Sequence, residues 1–168
     1  DQNQRENFVT WGHQTTNLAT PDCAQLPTVE VDWSQGVTVE AWVCFDHLLT
    51  PMSIISLNSE NGTLVLGNRG VNANKFGLFT AWGVSNIESK FKITSELFST
   101  TRLEPRRWFH VAVTVTPEGY TRLYQDGKLL KTHLSPIIFI PKTAINFTHN
   151  LIGATDQTNT GTFTGKVT

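Results

Sequence analysis

The chain has 168 residues, 39% hydrophobic and 16% charged, which suits one folded domain with its own core and excludes a disordered segment. Lys and Arg number 13 against 14 Asp and Glu, so no basic field invites nucleic acid; the tightest basic group, Arg102, Arg106 and Arg107, has Glu104 inside it. The apolar run Ile137 to Ile140 is far short of the roughly 20 residues a spanning helix needs.

Thr, Val and Ile total 46 residues against 8 Ala. β-Branched side chains fit a pleated sheet and lose rotamer freedom in a helix, so an all-β domain is expected. Asp1 rather than Met opens the sequence, which reads as a processed or excised segment. Low charge with 33 Ser and Thr suits a secreted protein. In an oxidising compartment Cys23 and Cys44 can form one disulfide closing a loop of about 20 residues, worth about 3 kcal/mol. The alternative is two separate buried thiols. Neither has a partner at zinc spacing.

In chain order, Thr28 to Trp33 alternates Val29, Val31 and Trp33 against Thr28, Glu30 and Asp32. Val37 to Phe45 puts Val37, Val39, Ala41, Val43 and Phe45 on one face and Glu40, Trp42 and Cys44 on the other. Met52 to Leu57, Thr63 to Leu66, the aromatic-rich Phe76 to Val84 and a segment around Phe91 and Ile93 follow as strands. Trp108 to Val115 alternates strongly. Thr121 to Gln125 and Lys128 to Thr132 flank Asp126-Gly127, a type I′ hairpin signal because both central residues need positive φ. Ile145 to Ile152 and Thr162 to Val167 complete eleven to thirteen short strands, the count of a β-sandwich. No repeat or linker divides the chain, so residues 1–168 read as one domain.

Three segments in this order carry a resemblance: Thr38-Val39-Glu40-Ala41-Trp42-Val43, Trp108-Phe109-His110-Val111-Ala112-Val113-Thr114, and Arg122-Leu123-Tyr124-Gln125-Asp126-Gly127-Lys128. Leu151-Ile152-Gly153 and Phe163-Thr164-Gly165-Lys166-Val167 add a looser fourth. Together they resemble the laminin-G-like, concanavalin A-like lectin/glucanase superfamily, including its pentraxin-like branch. The resemblance implies a jelly-roll β-sandwich of two antiparallel sheets. It also implies an extracellular or cell-surface setting, glycan or matrix-protein partners and, in many members, a calcium ion at the rim. Glu40 and His110 are expected to pair across neighbouring strands, and Trp42 and Trp108 to supply buried area. Members usually continue past the Phe163 to Val167 segment with a fuller strand; an open edge there is a template for pairing with another chain.

Calcium takes six to eight oxygens. Asp156 and Asn159, with Thr155, lie before the last strand, and Asp22 could meet them; ordinary turn residues are the plainer account. For a sugar, Trp82 with Asn86, and Trp11 with His13, offer an aromatic platform beside polar groups; core packing is the alternative for each. Asn61-Gly62-Thr63 and Asn146-Phe147-Thr148 are glycosylation sequons. Glu30-Val31-Asp32-Trp33-Ser34-Gln35 nearly matches the Glu-x-Asp-x-x-Glu motif of glucanases with this fold. Gln35 stands at the acid/base position, and an amide cannot donate that proton. No histidine pair or nucleophile elbow supports another chemistry, so no enzyme is expected. Ile137, Ile138, Phe139 and Ile140, between prolines, form either a buried edge strand or an exposed contact surface. Two functions follow: a non-catalytic extracellular module recognising glycans or matrix partners, or a structural subunit associating through edge strands and residues 137–140.

Overall fold

A computed structural model of the chain describes residues 9–11, 23–60, 62–68, 75–86, 89–134, 144–154 and 163–168, with backbone only at 9–11, 78–86, 89–96 and 134. Strands account for most of it: β1 (Val9–Trp11), β2 (Ala24–Leu26), β3 (Val29–Val31), β4 (Val37–Phe45), β5 (Met52–Ser59), β6 (Gly62–Asn68) and β7 (Lys75–Asn86), followed by β8 (Ser89–Arg102), β9 (Trp108–Val115), β10 (Tyr120–Gln125), β11 (Lys128–Leu134), β12 (Ile145–Phe147), β13 (His149–Ile152) and β14 (Gly165–Val167). One six-stranded sheet runs β1-β14-β4-β9-β10-β11 and the other β2-β13-β5-β6-β7-β8; β12 and β3 form a small ladder between strand ends. Every pairing is antiparallel. This is the all-β sandwich that the sequence predicts.

Alternation explains which faces meet. Ala41, Val43 and Phe45 of β4, Phe109, Val111, Val113 and Val115 of β9, and Leu123 of β10 are buried on one sheet; Met52, Ile54, Leu57, Leu64, Leu66, Phe76 and Leu97 are buried on the other. Burying two such faces against each other, at about 25 cal/mol per Å² of apolar area, is what holds the sandwich together. Phe45 and Phe163 meet at 5.0 Å between ring centroids, so the segment before β14 plugs one end of the core. The β10–β11 turn has Asp126 at φ 50° and Gly127 at φ 74°, as the Asp-Gly signal requires. Gly165, at φ +147°, lies against β4 so closely that a Cβ would sit 2.0 Å from the Cys44 carbonyl oxygen.

Some expectations are corrected. Trp33 does not extend a strand: residues Trp33–Gln35 form a short 3-10 helix with Asp32 as its N-cap, the Asp32 carboxylate accepting from Ser34 N at 2.9 Å. That hydrogen bond holds the Asp32 carboxyl below its ordinary pKa. The near-glucanase segment therefore serves as a capped turn. Ile145 to Ile152 splits into β12 and β13, which pair with different strands. Buried Asn150 fixes the junction: its Nδ2 donates to the carbonyls of Pro27 and Phe147, both at 2.8 Å, and its Oδ1 accepts from Asn58 N at 3.3 Å. The disulfide is not formed, since Cys44 is a free thiol. Cys44 lies on the outer side of β4, with Trp42, while Cys23 leads into β2 of the opposite sheet.

Candidate functional site

The outer face of the β1-β14-β4-β9-β10-β11 sheet carries the chemistry. Strand register arranges its side chains in rows two residues, or about 7 Å, apart. Thr38, Thr114, Arg122 and Thr132 lie across one row; Glu40, Ala112, Tyr124 and Leu129 across the next. Trp42 then faces His110, and Lys166, Cys44 and Trp108 follow. Because β4 and β9 spend their other face on the core, these residues must look outward. Trp42 is 49% exposed and Trp108 37% exposed. The expectation that both are buried is thus corrected.

Trp42 and His110 meet at 5.3 Å between centroids with planes tilted by 56°. Glu40 Oε2 lies 3.5 Å from His110 Nε2, the cross-strand pair expected from the sequence. The His110 backbone is fixed as well: His110 N donates to Asp126 Oδ1 at 3.0 Å, and Asp126 N donates to the His110 carbonyl at 2.8 Å. The β10–β11 turn thereby clamps the strand that presents the imidazole. Ala112, at the centre of the neighbouring row, contributes only a methyl group, which lowers the surface between Glu40 and Tyr124.

The end of this face is polar. Arg107 reaches Glu104 at 3.6 Å and Asp126 at 3.7 Å, and its guanidinium lies over the Phe109 ring at 4.9 Å. Burial, and secondarily Asp46, push the Cys44 thiol pKa up, while Lys166 pulls it down, so Cys44 is a poor nucleophile. Exposed indole faces beside a carboxylate, an imidazole and hydroxyls suit a polyhydroxylated ring: its C–H side packs on the aromatic surface and its hydroxyls bond to the polar groups.

The sequence-predicted site residues fall elsewhere. Trp82 is opposite Gly62 and Ile93 in β7, with Asn86 opposite Ser89 at the end of that strand. Trp11 is opposite Gly165 in β1, in the other sheet; the two aromatic candidates therefore do not share a surface sheet. Asp22, Asp156, Asn159, Thr155, His13, Asn61 and residues 137–140 lie outside the described residues. Among the described residues, no three His, Cys, Asp or Glu side chains are grouped to hold a metal ion, and no helix is long and apolar enough to cross a membrane. Asn146 is exposed in β12, where a glycan could be accommodated. The signal for the outer platform was the alternation of β4 itself, which separates Glu40, Trp42 and Cys44 from five apolar neighbours.

Residues 18–168 match the family model of the concanavalin A-like lectin/glucanases superfamily. No curated protein matches the chain. Among solved structures, the native heptameric SAP-like pentraxin from Limulus polyphemus is similar with a TM-score of 0.58 at 15% identity, over 96% of this chain and 72% of that one. The CBM40 of the Ruminococcus gnavus IT-sialidase is similar in its complex with α2,3-sialyllactose (TM-score 0.55, 15% identity, 86% and 88% coverage). Its complex with α2,6-sialyllactose gives a TM-score of 0.54 at 17% identity, over 86% and 89%.

Proposed function

The chain belongs to the concanavalin A-like lectin/glucanases superfamily, and on that premise we propose that it is a non-catalytic, lectin-like module that binds glycans outside the cell. The observation that carries the reading is the outward, half-exposed Trp42 in tilted ring contact with a His110 that Glu40 and Asp126 hold in place. A similar fold in a CBM40 bound to sialyllactose supports it. Binding needs no moving part: the platform stands on paired strands, so little conformational entropy is lost when a sugar docks. The reading includes calcium at Asp22, Asp156 and Asn159, which rests on their oxygen donors alone. A glycan array probed with the wild-type chain and with Trp42→Ala, each with calcium and with EDTA, tests both parts. Saccharide binding by the wild type that Trp42→Ala loses is the expected result. Equal binding by the two proteins would remove this face as the site, and binding unchanged by EDTA would remove calcium.

Self-association is the second reading, supported by the similarity to a pentraxin that is itself heptameric. Light scattering after size exclusion separates it from a monomer of about 18.7 kDa.

A further inference from the structure

The outer face that carries Trp42 continues well past it. Two rows further along, Arg122 of β10 stands between Thr114 and Thr132, about 14 Å along the strands from the Trp42 row at about 3.4 Å per residue. Its side of the sheet is fixed by its neighbours. Thr121 and Leu123 are wholly buried, so Tyr120 and Arg122, which alternate with them, face outward. The guanidinium is located too: Arg122 Cζ lies 6.0 Å from the centroid of the Tyr120 ring, at the edge of cation–π range. Tyr120 is itself 38% exposed. An aromatic ring beside a polar side chain therefore recurs at the far end of the face, about 20 Å along the strands from the Trp42 row.

The protein does not use this second end itself. Arg122 is flanked in register by two threonines and forms no ion pair with a described residue. Glu118, in the adjoining turn, accepts hydrogen bonds from Thr116 and from its own backbone. Glu40, one row away and two strands across, lies on His110. The row between the two ends holds Glu40, Ala112 and Tyr124, and the methyl group at its centre keeps the path along β9 low. A monosaccharide over Trp42 leaves Tyr120 and Arg122 idle. A straight chain running along the strands covers both ends, and its second contact is intramolecular, which raises affinity steeply once the chain is long enough to make it.

Resting on the glycan-binding reading above, we propose that this face binds the interior of an extended, linear polysaccharide, with Tyr120 and Arg122 as a second anchor beyond Trp42. The probes are three pairs of straight, β-1,4-linked chains: cellobiose and cellohexaose, chitobiose and chitohexaose, xylobiose and xylohexaose. Each is titrated by calorimetry into the wild type, Trp42→Ala, Tyr120→Ala and Arg122→Gln. Arg122→Gln removes the charge and keeps most of the aliphatic stem; Tyr120→Ala removes the ring. Two unlike changes thus question one anchor, and thermal melts show that each variant is folded.

In at least one pair the wild type should bind the hexasaccharide about tenfold more tightly than the disaccharide. Tyr120→Ala and Arg122→Gln should each bring the hexasaccharide down toward the affinity of the disaccharide, and Trp42→Ala should weaken both lengths. Equal affinity for the two lengths, or a gain that survives in either folded anchor variant, would overturn the extended site while leaving the Trp42 platform intact. Binding confined to other glycans on the array, with all three hexasaccharides unbound, would do the same. Failure to bind any saccharide, on the array or in the titrations, would instead remove the underlying glycan-binding reading.

Discussion

Trp42 and Trp33 make a matched pair of perturbations, because the same truncation to Ala meets two different environments. Trp33 is 2% exposed and sits in the core cluster, so Trp33→Ala opens a cavity and should cost about 3–5 kcal/mol. Trp42 is 49% exposed on an open face. A fully buried Trp removes roughly 150–250 Å² from water, so about half of that, near 100 Å², is lost here. At about 25 cal/mol per Å² the ceiling is about 2.5 kcal/mol, and no enclosed cavity adds to it. Urea denaturation of the two variants should therefore separate them by at least about 0.5 kcal/mol, with Trp42→Ala the milder. Trp42→Ala should in addition lower saccharide affinity at least tenfold while leaving the far-ultraviolet spectrum unchanged. Equal destabilisation by the two variants would show that Trp42 is a structural side chain, and the platform would have to be abandoned.

Other consequences are equally concrete. Asn150→Asp should cost about 3–5 kcal/mol at neutral pH, because two carbonyls 2.8 Å away lose their donor. The new carboxyl faces carbonyl oxygens, so its folded pKa is raised above the unfolded value of about 3.9. The variant is thus least impaired below that pH and worsens as pH rises through the folded value; urea midpoints across pH check the sign. Gly165→Ala should cost about 2–4 kcal/mol, since φ +147° and the Cys44 carbonyl leave no room for a methyl group; a melting point within 2 °C or so of the wild type would contradict this. Cys44 should alkylate with iodoacetamide more slowly at pH 8 than an ordinary thiol. Asp46→Asn should speed the reaction and Lys166→Ala slow it, following the direction in which each charge moves the thiol pKa.

How much of this was legible beforehand depended on the length of each pattern. β4 and β9, with nine and eight residues, carry enough alternation to fix strand, face and neighbour, and the Asp126-Gly127 hairpin carries its own turn chemistry. β1, β2 and β12, at three residues each, carry no period at all and exist because a neighbour offers hydrogen bonds. Asn146 and Asn150 look alike in sequence. Yet one is exposed and the other wholly buried, because Asn150 alone meets the Pro27 and Phe147 carbonyls and the Asn58 amide.

The candidate site was half legible for a more instructive reason. Alternation placed Trp42 beside Glu40 and Cys44 on the polar face, and bulk apolar character argued that an indole belongs inside. The two rules conflict at one residue. In the fold, alternation wins, because moving Trp42 inward would slip β4 by one residue and turn Ala41, Val43 and Phe45 out to solvent. Three buried side chains outweigh one. A large aromatic residue that the register forces outward cannot be explained by the core it is missing from, and that is why such a residue is the place to look for a ligand.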